Sequence, residues 1–205
     1  RNNNLFMLGV TNVVDSMIAR EMHCGTYLNS GREVGVASTK CFTSQVIALN
    51  LIALWFSKIH NTGENKRIKV LKDLRNLPQD IKKCVKYCDE IIKKEKITNI
   101  FHKNNSMFVL GKGQCEATAK EGSLKIKEIS YYHAEGYSGS SLKHGPFALL
   151  EKDFPVILIA PNDKHYSKMK SVYQEIKSRE ASILLITDNK SCKIDIYSKT
   201  IVIPS

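Results

Sequence analysis

The sequence has 205 residues, 42% of them hydrophobic, and a formal net charge of +11 from 31 Lys and Arg against 20 Asp and Glu. This is ordinary globular composition, sufficient for one or two domains. Six cysteines in a chain this long read as reduced thiols rather than a disulfide framework, and without a charged-then-apolar leader, export is not expected.

The chain starts at Arg1 without an initiator Met, passes an Asn run and reaches an apolar stretch, Leu5 to Val10, that reads as a buried strand. A parallel strand takes neighbours on both sides, so the sequence is expected to begin inside a domain. Next comes GREVGVASTKCFTSQ, Gly31 to Gln45, leading into a helix expected over Ser38 to His60 with Ser38 as its cap. The helix carries Phe42, Val46, Ile47, Leu51 and Trp55, and its apolar run, broken by Asn50, reads as too short for a bilayer, which needs roughly 20 residues. The loop Val36, Ala37 and Ser38 has two readings. It is either a plain N-cap or a Gly-fed loop whose backbone N–H groups and hydroxyl meet a polar ligand.

From Lys58 to Lys103 there are 13 Lys or Arg against 6 Asp or Glu, which accounts for most of the net charge. Apolar residues from Ile68 to Ile92 recur every three to four positions, so two connecting helices divided by Pro78 are expected. Their lysines are spread around the helices rather than interleaved with aromatics, which argues against a nucleic-acid surface. Cys84 and Cys88 lie one helical turn apart, but lack companion ligands at zinc spacing, and no metal site is expected.

A strand at Ser106 to Leu110 turns through Gly111, Lys112 and Gly113 into a helix expected over Glu116 to Glu135. On it Glu121, Lys125 and Glu128 stand at i, i+4 and i+7, within one narrow face. That face is either an exposed salt-bridge ladder or a place for proton chemistry. A Gly-containing loop then leads to His144, whose imidazole is either a hydrogen-bonded turn residue or an acid/base group near its working pH. Strand Pro155 to Ala160, helix Lys164 to Arg179, strand Ser182 to Thr187 and strand Thr200 to Ile203 complete an alternation that predicts an α/β fold, a parallel sheet covered on both faces.

The wording of two segments adds to this reading. EGSLKIKEISYYHAEGYS, then LKHGP and PVILIAPN, resemble the second sugar isomerase (SIS) domain of the glutamine:fructose-6-phosphate aminotransferase family, and GREVGVASTKCFTSQ resembles the end of the first. The resemblance implies a flavodoxin-like three-layer αβα sandwich, with two SIS domains in tandem. It places the last part of the first at residues 1–62, connecting helices at 63–99 and the second domain at 100–205. It also implies ketose-to-aldose isomerisation of an aminated sugar phosphate on the way to glucosamine 6-phosphate, without a cofactor. Carried over residue by residue, Glu128 is the base, Lys125 assists at the substrate oxygens, His144 promotes ring opening, and Val36, Ala37 and Ser38 line the sugar site.

In the family that histidine comes from a partner subunit, which implies a homodimer, and the implied location is the cytoplasm. The family's serine-rich phosphate loop, its glutaminase domain and its C-terminal lysine tail are not in this sequence. Ser141 stands where the family usually has an acid. The other readings of the chain are a non-catalytic SIS module that senses sugar phosphates and a basic nucleic-acid binder.

Overall fold

The computed structural model describes residues 5–192 and 198–204. The chain forms two units, Arg1–Asn76 and Leu77–Ser205.

In the first unit, β1 (Leu8–Thr11) pairs in parallel with β2 (Cys24–Tyr27), Leu8 opposite Cys24. Between them lies α1 (Met17–Glu21), whose cap Ser16 accepts the Ala19 N–H at 3.3 Å. The expected strand at Leu5 to Val10 therefore lies further along, and Leu5 and Phe6 are exposed outside it. Neither α1 nor β2 was expected: one is a single short helix, and the other, Cys-Gly-Thr-Tyr, carries no apolar run.

After a long loop comes α2 (Lys40–Ile59). It is 20 residues long and an 18-residue stretch of it reaches a mean hydropathy of 1.3, so by length and composition it could cross a membrane, contrary to the expectation drawn from its apolar run alone. Helix α3 (Glu64–Lys94) continues through Pro78, where a division into two helices was expected. Proline removes one backbone donor without forbidding the helical φ, and the apolar repeat persists on either side.

The second unit is a five-stranded, all-parallel sheet. Its strands are β3 (Ser106–Gly111), β4 (His133–Ser138), β5 (Pro155–Ile159), β6 (Ser182–Thr187) and β7 (Ser198–Val202), in the spatial order β4-β3-β5-β6-β7. Counted within the unit this is 2-1-3-4-5, the flavodoxin-like order. Alternation along the strands sorts the side chains onto two faces. Phe108, Leu110, Val156, Leu158, Ile183 and Leu185 pack on Met169, Val172 and Ile176 of α5 (Tyr166–Lys177). Met107, Val109, Ile157 and Ile159 pack on Ala119 and Ile126 of α4 (Gln114–Ser130). Leu184 and Ile201 meet Ile97 and the last turns of α3. Each fully buried Leu, Ile or Phe contributes about 1.5–3 kcal/mol, and the layering is a three-layer α/β sandwich.

The helix expected to run to Glu135 stops at Ser130. Tyr131 adopts a left-handed conformation (φ +57°) and sends its N–H back to Lys127 O, while Tyr132 Oη donates to Asn104 O at 2.6 Å. Those contacts turn the chain into β4, which the sequence reading missed. Gly136 on β4 then lets α4 lie close, since a Cβ there would sit 2.5 Å from Lys120 Cα.

Candidate active site

Helix α4 starts directly from β3. Gly113 takes φ +62° at its N-cap, and a Cβ at that position would sit 2.7 Å from His165 Nε2. Ala119 and Ser123 are buried on the sheet side of the helix, which turns Glu121, Lys125 and Glu128 away from the sheet. Lys125 Nζ donates to Glu128 Oε2 at 2.6 Å and lies 3.4 Å from Glu121 Oε1. Only 20% of the Lys125 side chain and 22% of the Glu128 side chain is exposed, so this is no loose surface ladder. The bond to Glu128 raises the Lys125 pKa, partly offset by desolvation and reinforced by the charges of Glu128 and Glu121. Lys125 is therefore an ammonium at neutral pH, suited to steadying negative charge on an oxygen.

His144 closes a 3-10 turn, Gly139–His144, and is followed by Gly145 at φ +139°. The turn is fixed on its inner side by fully buried Leu142 and by Gly139 against Met169. Outside, Lys143 Nζ pairs with Glu175 Oε1 of α5 at 2.8 Å, and the Arg179 guanidinium lies over the Phe147 ring at 4.6 Å. Lys112 donates to the Ser140 hydroxyl, tying the β3–α4 turn to the same segment. His144 itself is exposed and makes no hydrogen bond or ion pair among the described residues. The structure thus brings Lys125 and Glu128 together, adds Glu121 to them, and leaves His144 on a rigid turn facing solvent.

Val36, Ala37 and Ser38 belong to the first unit, in the loop before α2. Val36 is 90% exposed, while Ala37 and Ser38 are half-buried. Ser38 is not the cap. The N-cap is Thr39, which makes no side-chain capping bond, and Glu33 reaches in from outside, accepting the Thr39 N–H at 2.9 Å and the Cys41 N–H at 3.1 Å through one oxygen. A carboxylate is the stronger acceptor and also meets the positive end of the helix, so it takes the position that a serine would otherwise fill. The base of the loop is held by Asn12, which bonds Gly31 O at 2.7 Å and Ser30 N at 2.9 Å. Neither Glu33 nor Asn12 was singled out from sequence; a carboxylate six residues before the N-cap Thr39 falls outside any capping pattern.

The backbone N–H of Cys41, then that of Thr39, with smaller help from the Cys41 thiol and Ser38 hydroxyl, lowers the Glu33 pKa to about 2 from 4.5. A lowered folded pKa means that the carboxylate's contribution is complete above about 4.5 and is lost as pH falls towards about 2. Hydrogen-exchange protection of the Thr39 and Cys41 amides, corrected for intrinsic rate, should be level from about pH 7 to about pH 5 and decline below that. In Glu33→Gln both amides should exchange faster already at neutral pH. Unchanged exchange in that variant would contradict the capping role.

The parallel sheet in flavodoxin-like order, with a Lys125–Glu128 pair on its first helix and His144 on a fixed turn, defines an α/β domain of the doubly wound type. The chain belongs to the SIS domain family, which matches residues 1–55 and 100–203. That match runs through most of α2, so the helix is part of the matched domain. Among relatives, the chain is 44% identical over 190 residues to the Acanthamoeba polyphaga mimivirus protein named "Probable glutamine--fructose-6-phosphate aminotransferase [isomerizing]", covering 92% of this chain and 30% of that protein. It is 39% identical to glutamine--fructose-6-phosphate aminotransferase [isomerizing] 1 of Rattus norvegicus, over 96% of this chain and 29% of that one. The C-terminal domain of glucosamine-fructose-6-phosphate aminotransferase from Francisella tularensis superposes with a TM-score of 0.88 at 33% identity, covering 96% of this chain and 56% of that one. The chain spans about 30% of the length of the curated relatives it matches.

Proposed function

We propose that this chain is the sugar-isomerising part of an enzyme that forms glucosamine 6-phosphate from fructose 6-phosphate and glutamine. The observation that carries the reading is the half-buried Lys125–Glu128 pair, 2.6 Å apart on α4, in a chain so similar to the named aminotransferases. Converting the C2 imine of an opened, aminated sugar into a C1 aldehyde and a C2 amine requires one proton to pass from C1 to C2 and a second to pass from the C1 hydroxyl to the nitrogen. Glu128 is the carboxylate that takes the first from C1 and delivers it to C2. The Lys125 ammonium steadies the charge that develops on the neighbouring oxygen between that removal and that delivery.

His144 is the ring-opening acid/base. Its exposure on a pinned turn suits a histidine that serves the site of a second subunit in a homodimer. Val36, Ala37 and Ser38 present backbone groups to the sugar phosphate. Residues 1–62 belong to a first SIS domain, 63–99 connect, and 100–205 belong to a second. A glutamine-hydrolysing domain in the same polypeptide supplies ammonia, and the protein is soluble and cytoplasmic.

The test uses the full-length protein with fructose 6-phosphate and glutamine. Stoichiometric glucosamine 6-phosphate and glutamate are expected. Saturable binding of fructose 6-phosphate without turnover would contradict the reading and point instead to a sensing module.

A further inference from the structure

Two carboxylates share one ammonium on α4, although the reaction assigned above uses only one of them. Glu128 is charged before turnover and neutral once it has taken the proton from the sugar. At that moment the bond that holds Lys125 in the free protein, 2.6 Å to Glu128 Oε2, loses its charge. The remaining anion in reach is Glu121, 3.4 Å away, one turn earlier on the same face and with only 26% of its side chain exposed.

The surroundings offer no substitute among the described residues. From β3, the side chains packed with α4 are Met107 and Val109, which are apolar. On β4, Ala134 and Gly136 face the helix, while Glu135 is engaged by Tyr137 and lies 3.6 Å from His133. Elsewhere on α4, Glu116 is paired with Lys120 at 2.8 Å. The groups that raise the Lys125 pKa are Glu128 and Glu121 alone.

We propose that Glu121 is a positioning residue for the isomerisation, the permanent counter-charge that keeps Lys125 an ammonium, in place at the substrate oxygen, while Glu128 carries the sugar's proton. This rests on the function proposed above. Glu121 does not touch the reacting carbons. It acts through Lys125, so its loss should show as a change in where Lys125 titrates during turnover rather than in how the sugar binds.

The sign follows from the geometry. Without Glu121, an ammonium beside a neutral Glu128 has no anion to hold its proton, and it deprotonates at lower pH than in the wild type. In full-length Glu121→Gln, the basic limb of the kcat profile should therefore move to lower pH. The rate at about pH 9 should fall about two- to tenfold more than the rate at about pH 7, with KM for fructose 6-phosphate little changed. Glu121→Asp, which restores the charge on a shorter arm, should return the limb part of the way. A second measurement needs no turnover: labelling of Lys125 by trinitrobenzenesulfonate, read by mass spectrometry, reports the neutral amine and should be faster in Glu121→Gln than in wild type.

An equal rate loss at every pH, with Lys125 labelling unchanged, would overturn the inference and leave Glu121 a structural helix residue. A wild-type protein that never converts fructose 6-phosphate would instead overturn the underlying function. The labelling result in that protein would still decide whether Glu121 holds the Lys125 proton.

Discussion

Glu128→Gln in the full-length protein should lower kcat for the isomerisation by about 10²- to 10⁴-fold while KM for fructose 6-phosphate stays within a few-fold of wild type. The substitution keeps the size of the side chain and an oxygen within reach of Lys125 Nζ, 2.6 Å away in the native protein, but removes the proton acceptor. An interaction needed only when a proton moves appears in kcat rather than in binding. Glutamine hydrolysis measured as glutamate release should persist, which separates the loss from unfolding. A variant with wild-type kcat would remove Glu128 from the chemistry and, with it, the reason for the cluster on α4.

Leu142→Ala should destabilise the second unit by about 2–5 kcal/mol, the range for emptying a fully buried leucine site. Leu142 is fully buried beneath the Gly139–His144 turn, in the cluster formed by Phe108, Leu158 and Met169. The cavity would lie directly under the segment that carries His144. Urea unfolding should therefore show a lower midpoint with an unchanged m-value, and turnover below the unfolding midpoint should fall as well. By contrast, loss of the Lys143–Glu175 pair, 2.8 Å long with Lys143 64% exposed, should cost less than about 1 kcal/mol. A Leu142→Ala protein as stable as wild type would mean that the turn is not anchored by its core side chain.

These predictions depend on features of unequal visibility in the sequence. The face formed by Glu121, Lys125 and Glu128 could be read directly, because a helix repeats every 3.6 residues whatever surrounds it. Strands β5 and β6 were equally legible as unbroken apolar runs, since a central parallel strand is buried on both faces. Edge strand β4 was not. His133, Glu135 and Ser138 give it polar positions, and nothing local distinguishes it from the end of α4 until Tyr131 turns the chain.

The Glu33 cap was hidden for a different reason. Its partners are backbone amides at Thr39 and Cys41, which no side-chain pattern advertises. The continuity of α3 through Pro78 reversed a sound local rule because the helix tolerates one missing donor. For the site, the spacing of α4 pointed to proton chemistry, whereas the roles of Glu128, Lys125 and His144 came from the literal motifs. The sharing of Lys125 between two carboxylates emerged only from distances.

The most direct measurement of the central claim is proton NMR of the product formed from fructose 6-phosphate and glutamine in D₂O by the full-length protein. A carboxylate that takes a proton from C1 and returns one to C2 exchanges part of it with solvent, so the wild-type product should be glucosamine 6-phosphate carrying deuterium at C2 in a fraction of molecules. Glu128→Gln should form product, and exchange deuterium into the substrate, at least about 10²-fold more slowly than wild type. Deuterium incorporation by Glu128→Gln at the wild-type rate, or no sugar conversion by the wild-type protein at all, would contradict the account.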